Sequence, residues 1–399
     1  MTRTTDTTGV DITTVDTTEV DTAGVDTAGV DMPGTDTAGV DTAGTDASGI
    51  DTDKLMSFVL RAVDEVGATL NCALVTMGDQ LGYYRDLAEH GPTTAAELAA
   101  RTETPLPYAR EWLHAQAAGQ YLSYDAGSRR FTLPPELMVA LTDESSPAFL
   151  PGFFQIALGT ARDADRVITA ARNAQGVGWH EHHVDVHVGC ERFFRPSYAT
   201  NLVSDWLPAL DGVVDKLETG TTVADIGCGH GSSTILMARA YRRSQFVGSD
   251  YHAASIEVAR QRAEEAGVGG NVTFEVAAAA ACSGSGYQLV TMFDCLHDMG
   301  DPLGAARHVR EVIASEGTWM VVEPAAGDRL EDNLNPIGRA YYGFSTLLCT
   351  PASLSQPGAA ALGTQAGPAR IRELTEQAGF THFRIAAQTP FNNVFEIRP

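Results

Sequence analysis

Three glycines and an acidic residue in the middle of the chain have a spacing typical of nucleotide-binding proteins. The first part reads Val223-Ala-Asp-Ile-Gly-Cys-Gly-His-Gly-Ser-Ser233, and about one helix later follows Gln245-Phe-Val-Gly-Ser-Asp250. Glycines let the backbone turn tightly and approach a ligand, and an acid at the end of the second strand can accept hydrogen bonds from a ribose diol. The spacing therefore predicts a βαβ unit that handles a nucleotide.

The position of the third glycine indicates which nucleotide this unit takes. A dinucleotide fingerprint needs a glycine at position 232, where this chain has Ser232, and the third glycine here is Gly231. The resulting Asp-x-Gly-x-Gly-x-Gly pattern, which begins at Asp225, resembles motif I of the class I methyltransferases that use S-adenosylmethionine (SAM). A sulfonium cofactor has no pyrophosphate, so it does not need the dinucleotide spacing. The resemblance implies SAM as the cofactor.

Apolar strands alternate with helices around this unit and would position it. Helical patterns are expected at 234–242, 253–266, 303–314 and 369–378. Strands are expected at 223–226, 245–250, 272–277, 287–293, 318–323, 382–388 and 393–397. This alternation predicts an α/β fold with a doubly wound, mainly parallel sheet of seven strands, Rossmann-like in its layout. A short Thr-Pro turn joins the last two strands, so we expect a closing hairpin and an antiparallel last strand.

Three longer segments carry a more specific resemblance: Phe293-Asp-Cys-Leu-His-Asp-Met-Gly-Asp-Pro302, Glu331-Asp-Asn-Leu-Asn-Pro336 and Thr350-Pro-Ala-Ser-Leu-Ser355. On these segments, and over most of residues 55–399, the chain resembles the mycobacterial-type class I methyltransferases that carry an N-terminal winged helix. More distantly, it is similar to the plant-type small-molecule O-methyltransferases, whose catalytic histidine stands at the position of His297. The resemblance implies a SAM-dependent methyltransferase with His297 beside the methyl group.

His297 has the chemistry that methyl transfer to oxygen needs. The reaction is an in-line displacement, so the protein positions the reactants and takes a proton from the acceptor. A histidine with an ordinary pKa of about 6.5 suits the role of general base. Glu323, at the end of a predicted strand, could orient His297 or a substrate hydroxyl, and Asp298 is the second candidate for orienting His297.

The resemblance also implies a set of cofactor contacts. The glycine loop and Asp225 are expected at the methionine end of SAM, Asp250 at the ribose, Tyr251 near adenine, and the backbone of 293–294 near the sulfonium. Residues 276–282 depart from the family, because they read Val-Ala-Ala-Ala-Ala-Ala-Cys and lack the acid that meets the adenine amino group. Backbone atoms are expected to serve there instead. The predicted cofactor-binding residues are Asp225, Gly227, Cys228, Gly229, Gly231, Asp250, Tyr251, Ala277, Ala278, Phe293 and Asp294.

Aromatic residues are candidates for the acceptor pocket. Tyr341, Tyr342 and Phe344 are expected to line it, although a buried helix face explains them nearly as well.

A histidine-rich segment, Trp179-His-Glu-His-His-Val-Asp-Val-His187, is a second candidate. If it is helical, His180, His183 and His187 share one face as a metal triad would. Valines alternate at 184, 186 and 188, however, and this favours an extended segment. We therefore expect no metal here and a place in the substrate pocket for His183 and His187.

The first 53 residues differ in composition from the rest of the chain. Asp recurs every five residues from Asp6 to Asp51, with Gly and Thr filling much of the remainder. Such a repeat buries too little apolar surface to offset the entropy lost on ordering, so we expect a disordered acidic tail over 1–53. The tail carries a net charge of −11 of the total −24, which leaves −13 for the remaining 346 residues.

Residues 54–150 are expected to form a winged-helix domain. Helices are expected at 55–70 and 73–88, a capping-box-like start at 93–97, and a wing from two short strands at 121–124 and 131–133. The segment holds seven basic against twelve acidic residues, and this balance disfavours DNA. The resemblance to O-methyltransferases implies instead that the domain forms a homodimer interface and one wall of the substrate pocket.

The remaining features complete the expected organisation. A helical linker at 151–215 contributes to the substrate pocket, and the methyltransferase domain covers 216–399. The chain shows no run of 18 apolar residues and no apolar core of a signal peptide, so we expect a cytoplasmic protein that does not insert into a membrane. Its cysteines are scattered, so we expect neither a zinc ribbon nor a disulfide framework. Nucleic acid is not expected as a partner.

The sequence as a whole predicts a SAM-dependent methyltransferase that acts on a small natural-product-like molecule. Oxygen is the favoured acceptor because of His297, with nitrogen and carbon behind it. Two alternatives stay open. One is a repurposed enzyme on the same scaffold, such as a cyclase or dehydratase, in which SAM is structural. The other is a SAM-sensing winged-helix regulator that binds DNA.

Overall fold

The computed structural model describes residues 49–399. The predicted disordered tail over 1–53 lies almost entirely outside these described residues. Between 49 and 399, no helix combines the length and the apolar character that crossing a bilayer requires.

Helices and one small two-stranded sheet make up the first part of the described chain. These elements are α1 (Thr52–Gln80), α2 (Tyr83–His90), α3 (Ala95–Arg101), α4 (Leu106–Ala118), β1 (Ser123–Asp125), β2 (Arg130–Thr132) and α5 (Pro135–Thr142). The predicted wing is confirmed, because β1 and β2 pair antiparallel. The predicted start of α3 is confirmed as well: Thr94 Oγ1 accepts the Glu97 N–H, and Glu97 Oε2 accepts the Thr94 N–H at 2.8 Å.

The predicted break between the first two helices is wrong. α1 continues to Gln80, and the turn falls at Gly82, whose φ of +73° is a left-handed conformation that glycine adopts without steric cost. Trp112 of α4 secures this corner, since it lies edge-on to Tyr83 and Tyr84 with ring centroids 4.9 and 5.0 Å away. These three aromatic rings therefore pack together within a core that is otherwise mostly leucine, valine and alanine.

Four helices follow the winged-helix region: α6 (Pro151–Arg162), α7 (Ala164–Arg172), α8 (Val184–Asn201) and α9 (Val213–Thr219). The expected extended segment around 184–188 is wrong, because these residues begin α8. His183 caps this helix, its Nδ1 accepting the Asp185 N–H at 3.2 Å. A π-helical turn at Leu202–Trp206 continues from the end of α8.

Strands and helices alternate through the rest of the chain. The strands are β3 (Thr222–Ile226), β4 (Gln245–Asp250), β5 (Val272–Val276), β6 (Tyr287–Phe293), β7 (Ile313–Pro324), β8 (His382–Gln388) and β9 (Asn392–Arg398). The helices are α10 (Ser232–Ala240), α11 (Ala253–Glu265), α12 (Pro302–Val312), α13 (Pro336–Phe344), α14 (Thr350–Leu354) and α15 (Gly367–Gln377). A second π-helical turn, Ser345–Cys349, joins α13 to α14.

The seven strands form one sheet in the order β5-β4-β3-β6-β7-β9-β8. Strands β3 to β7 pair in parallel, and β9 pairs antiparallel with both β7 and β8. The predicted mixed sheet with an antiparallel last strand and a closing hairpin is confirmed. Apolar clusters cover both faces of the sheet, so the central strands β3 and β6 are buried on each side. Chain order reverses between β3 and β6, and ligands of such sheets bind beyond the carboxyl ends of the strands at this point.

Candidate active site

The glycine loop between β3 and α10 is the first wall of the site. Gly227, Gly229 and Gly231 have φ values of +74°, +52° and +76°. A Cβ on Gly227 would lie 2.6 Å from Cys295 Sγ, and one on Gly231 would lie 2.7 Å from Cζ of Phe274. Both the backbone conformation and the lack of space therefore require glycine at these two positions.

Asp250 lies at the end of β4 beside this loop. Its Oδ2 accepts the backbone N–H of Gly229 at 3.0 Å, and its Oδ1 accepts the backbone N–H of His252 at 2.8 Å. Burial raises the pKa of the Asp250 carboxyl above its ordinary value, although both hydrogen bonds act against this. Each oxygen retains a second lone pair, so the carboxylate is held in place and can still accept a ligand hydroxyl.

Asp225 lies beneath the loop. It is fully buried, and its carboxylate accepts hydrogen bonds from Ser233 Oγ at 2.7 Å, Thr234 Oγ1 at 2.5 Å and Thr291 Oγ1 at 2.7 Å. Burial raises its pKa, and the three hydroxyls oppose this shift. The structure thus places Asp225 as a tie between β3, the start of α10 and β6, below the wall of the cavity.

His297 follows β6 and is held between two carboxylates. Its Nδ1 lies 2.5 Å from Glu323 Oε2, and its Nε2 lies 3.1 Å from Asp298 Oδ1. Burial lowers the pKa of His297, but Glu323 and Asp298 outweigh this effect and hold the pKa well above 6.5. Glu323 Oε1 also accepts the Leu296 N–H at 3.0 Å. Glu323 therefore fixes both the ring of His297 and the backbone that carries it.

Asp294 is a third acidic group at this end of the sheet. Its Oδ2 accepts the Tyr198 hydroxyl at 3.0 Å, and its Oδ1 accepts the Asn392 amide at 2.8 Å. Burial, with the nearby charge of Glu323, raises the pKa of this carboxyl to about 7. Its φ of +49° is uncommon for a residue other than glycine. A partly buried acid with this backbone conformation at a strand end is typical of a functional position.

A cavity of about 660 Å³ connects the glycine loop to the His297 cluster. Most of the predicted site residues line it, namely Gly227, Cys228, Gly229, Asp250, Tyr251, Ala277, Ala278, Phe293, Asp294, His297, Asp298, His187, Tyr341 and Phe344. Asp225, Gly231, Glu323, His183 and Tyr342 lie outside its wall. Of these, His183 caps α8 and Glu323 acts through His297.

Several lining residues were not predicted from the sequence. Phe153 of α6 stacks on Phe193 of α8 at 4.7 Å between ring centroids and lies 5.5 Å from the Phe344 ring. Trp179, Cys190, Tyr198 and Cys349 also face the cavity. The helical spacing of 190, 193, 194 and 198 was the available signal, because these residues fall on one side of α8. The second wall of the cavity is consequently aromatic.

Two family models match the chain. Residues 217–361 match a methyltransferase domain, and residues 69–143 match the Rv2258c-like winged HTH domain. No curated protein matches the sequence significantly.

Solved structures share this architecture at low sequence identity. The mitomycin 7-O-methyltransferase MmcR is 17% identical with a TM-score of 0.64, over 87% of this chain and 99% of that chain. The human N-acetylserotonin methyltransferase in complex with SAM is 15% identical with a TM-score of 0.63, over 88% and 99%. An O-methyltransferase family protein from Burkholderia thailandensis is 17% identical with a TM-score of 0.63, over 85% and 98%. At these identities the likeness establishes the fold, and the predicted methyltransferase fold with a winged-helix domain is confirmed.

Proposed function

The chain carries a methyltransferase domain joined to an Rv2258c-like winged HTH domain, and we propose that it transfers a methyl group from SAM to a small-molecule acceptor. The observation that carries this proposal is the single cavity that joins the glycine loop and Asp250 to the buried His297 cluster. A cofactor at one end and an acceptor at the other would meet at the carboxyl ends of β3 and β6, where such folds bind ligands.

The cofactor half of this proposal rests on the glycine loop and the residues that follow β4 and β5. Asp250 would accept the ribose hydroxyls, and Tyr251 would lie against adenine. The Ala277–Ala280 segment lines the cavity without a carboxylate. Adenine would therefore be held there by backbone groups and by van der Waals contacts.

The acceptor half rests on the aromatic wall and on His297. Flat rings such as Phe153 and Phe193 favour a planar, largely apolar acceptor. MmcR bears the name of a natural-product O-methyltransferase, and we propose a natural-product-like acceptor with a hydroxyl group for this chain. His297 would take the hydroxyl proton, with Glu323 holding its ring. For this role, Nε2 of His297 must carry no proton when the acceptor binds. In the structure, this nitrogen lies 3.1 Å from Asp298 Oδ1.

We also propose that the protein is a homodimer. Along one side of α1, Leu60, Val63, Val66 and Leu70 are between 61 and 66% exposed. Apolar side chains spaced in this way on a helix favour burial against another apolar surface. The resemblance to winged-helix methyltransferases makes a second copy of this chain the expected partner.

Isothermal titration calorimetry of the full chain with SAM, and with its demethylated product, tests the cofactor assignment. We expect saturable binding of both ligands at one site per chain. A chain that binds neither ligand at millimolar concentration would contradict the proposal.

A gel-shift assay at low salt against genomic DNA fragments tests the regulator alternative, and we expect no retarded complex.

A further inference from the structure

Asp294 is the acid of the cavity wall to which the proposed methyl transfer gives no task. Tyr198 and Asn392 donate to its two oxygens at 3.0 and 2.8 Å, and both of these partners are neutral. Among the described residues 49–399, His297 is the one positive group whose charge acts on it, and it does so without an ion pair. Each carboxylate oxygen keeps a second lone pair, so Asp294 is held in place and can still accept a hydrogen bond from a ligand.

The charge along the cavity wall favours a positively charged acceptor. Arg195 is the single arginine of this wall in the described part of the chain, and its guanidinium lies 3.2 Å from both Glu144 and Glu191. SAM adds one net positive charge, which five wall carboxylates outnumber. The four besides Asp294 have a partner or an assigned role: Glu191 with Arg262 at 3.0 Å, Asp250 at the ribose, Asp298 with His297 at 3.1 Å, and Asp301 as the cap of α12.

Aromatic rings of the cavity wall lie beside Asp294. Tyr198, which donates to it, lies 5.2 Å from the Phe293 ring and stacks on Phe194 at 5.9 Å between ring centroids. The hydroxyl protons of Tyr198 and Tyr341 are already donated within the protein, at 3.0 Å each, to Asp294 and to a backbone carbonyl. A ligand therefore meets ring faces and a carboxylate here. These are the two kinds of group that bind an ammonium, which has donors and no acceptor.

We propose that the acceptor carries a basic amine besides its hydroxyl, and that the ammonium group binds the Asp294 carboxylate beside these rings. The inference rests on the proposed function, because it names the class of molecule whose hydroxyl His297 would deprotonate. An ammonium nitrogen has no lone pair, so it cannot take the methyl group and the oxygen remains the acceptor. Asp294 and His297 both follow β6 and line one cavity, so a single small molecule can contact both.

The ionisation of Asp294 agrees with such a ligand. Burial, with the nearby charge of Glu323, raises the pKa of its carboxyl to about 7, so the free protein carries only part of this charge at neutral pH. A neighbouring ammonium favours the ionised form of a carboxyl group. The resulting charge-assisted hydrogen bond is worth about 10–100-fold in affinity.

Three phenols that differ in the charge of one side group test the inference. Tyramine carries an ammonium, tyrosol a neutral hydroxyl and 4-hydroxyphenylacetate a carboxylate, all on the same ring. NMR titration of the full chain measures their dissociation constants, with and without saturating S-adenosylhomocysteine, the demethylated product of SAM. We expect tyramine to bind about 10–100-fold more tightly than tyrosol, and 4-hydroxyphenylacetate to bind most weakly.

Asp294→Asn removes the charge and keeps one acceptor oxygen. It should weaken tyramine by about 10–100-fold and leave tyrosol within about twofold of its value in the unchanged protein. Asp301→Asn is the matched control, because it removes a charge from the same cavity wall at a side chain that caps α12, and it should keep the preference for tyramine. If Asp294→Asn does not fold, as monitored by circular dichroism, the order of the three phenols on the unchanged protein still decides the question.

Equal binding of tyramine and tyrosol, or no binding of any of the three at millimolar concentration, would overturn the inference. A preference for tyramine that survives in Asp294→Asn would do the same. If Asp294→Asn weakens SAM but neither S-adenosylhomocysteine nor tyramine, the carboxylate balances the sulfonium and the inference is wrong.

The cofactor measurements separate this inference from the proposed function. Binding of S-adenosylhomocysteine without a preference for tyramine would overturn the amine site and leave the proposed function in place. A preference for tyramine in a chain that binds neither SAM nor S-adenosylhomocysteine would support the amine site and contradict the proposed function.

Discussion

Glu323 accepts a hydrogen bond from the His297 ring at 2.5 Å, although the two residues follow or end different strands. The same carboxylate accepts the Leu296 N–H at 3.0 Å. Both side chains are buried, at 4% and 3% exposed for Glu323 and His297. Water therefore cannot easily take the place of the Glu323 carboxylate, and the orientation of His297 depends on this contact together with the one to Asp298.

Glu323→Gln is expected to lower kcat by about 10–100-fold, because the amide holds the ring less firmly and carries no charge. The dissociation constant of SAM, measured by calorimetry, should change less than twofold, since Glu323 lies outside the cavity wall. Glu311→Gln is the control, because its carboxylate is exposed on α12. Equal kcat values for Glu323→Gln and the unchanged protein would contradict the proposed orienting role.

Asp250→Ala is expected to weaken SAM binding by about 10–100-fold, the equivalent of one hydrogen bond to a charged group. The change also removes the acceptor of the Gly229 N–H and so loosens the glycine loop. Asp250→Asn keeps one acceptor oxygen, so its dissociation constant for SAM should lie between those of the unchanged protein and Asp250→Ala. Calorimetry with Glu257→Gln, an exposed acid on α11, provides the control. A dissociation constant for Asp250→Ala within twofold of the unchanged protein would remove Asp250 from the cofactor site.

Asp225→Ala is expected to lower the free energy of unfolding by about 3–5 kcal/mol, because three buried hydroxyls would lose their acceptor. Asp225→Asn retains one acceptor oxygen and can donate to a hydroxyl, so it should cost less. Urea denaturation followed by circular dichroism measures both variants. If Asp225→Ala unfolds at the same urea concentration as the unchanged chain, Asp225 does not tie the loop to the sheet as described.

Local patterns in the sequence predicted most of the fold. The strand, glycine loop and helix at 223–240 were predictable because the alternation of apolar residues and the left-handed turns are properties of neighbouring residues. The closing hairpin was predictable for the same reason. His297 was predicted from the resemblance to plant-type O-methyltransferases, and Glu323 was one of two candidates for orienting it because it stands at the end of a predicted strand of the same sheet.

Contacts between distant segments were not predictable in this way. Cys349 reaches His297 only because a π-helical turn and α14 pack on the loop after β6. The helix at 184–188 was missed because valines at alternate positions mimic a strand. In the helix, Val184 and Val188 share the exposed side and Val186 is buried, so the same alternation satisfies a helical period.

Val63→Glu is expected to convert a homodimer into a monomer, because it places a charge in the exposed apolar row of α1. Size-exclusion chromatography with light scattering measures the mass of each variant. Val139→Glu, at a 46% exposed position of α5, is the control and should leave the mass unchanged. A monomeric unchanged protein at micromolar concentration would contradict the dimer.

His187 is expected to make the protein sensitive to acid. Burial is the main cause that lowers its pKa, to about 4, and the positive charges of neighbouring His252, His182 and His230 act in the same direction when protonated. The unfolded chain, with an ordinary histidine pKa of about 6.5, then binds more protons than the folded chain between pH 6.5 and 4. The contribution of His187 to stability is therefore complete above pH 6.5 and is lost as the pH falls through this range.

His187→Gln should remove this part of the pH dependence. Between pH 7.5 and 4.5, the unchanged protein should lose about 1–2 kcal/mol more unfolding free energy than the variant, a range that allows for the partial exposure of the ring. Urea denaturation of the ligand-free proteins at each pH measures the difference, with His382→Gln, exposed on β8, as the control. Parallel pH profiles for the unchanged chain and His187→Gln would show that the ring is protonated as easily in the folded protein as in the unfolded one.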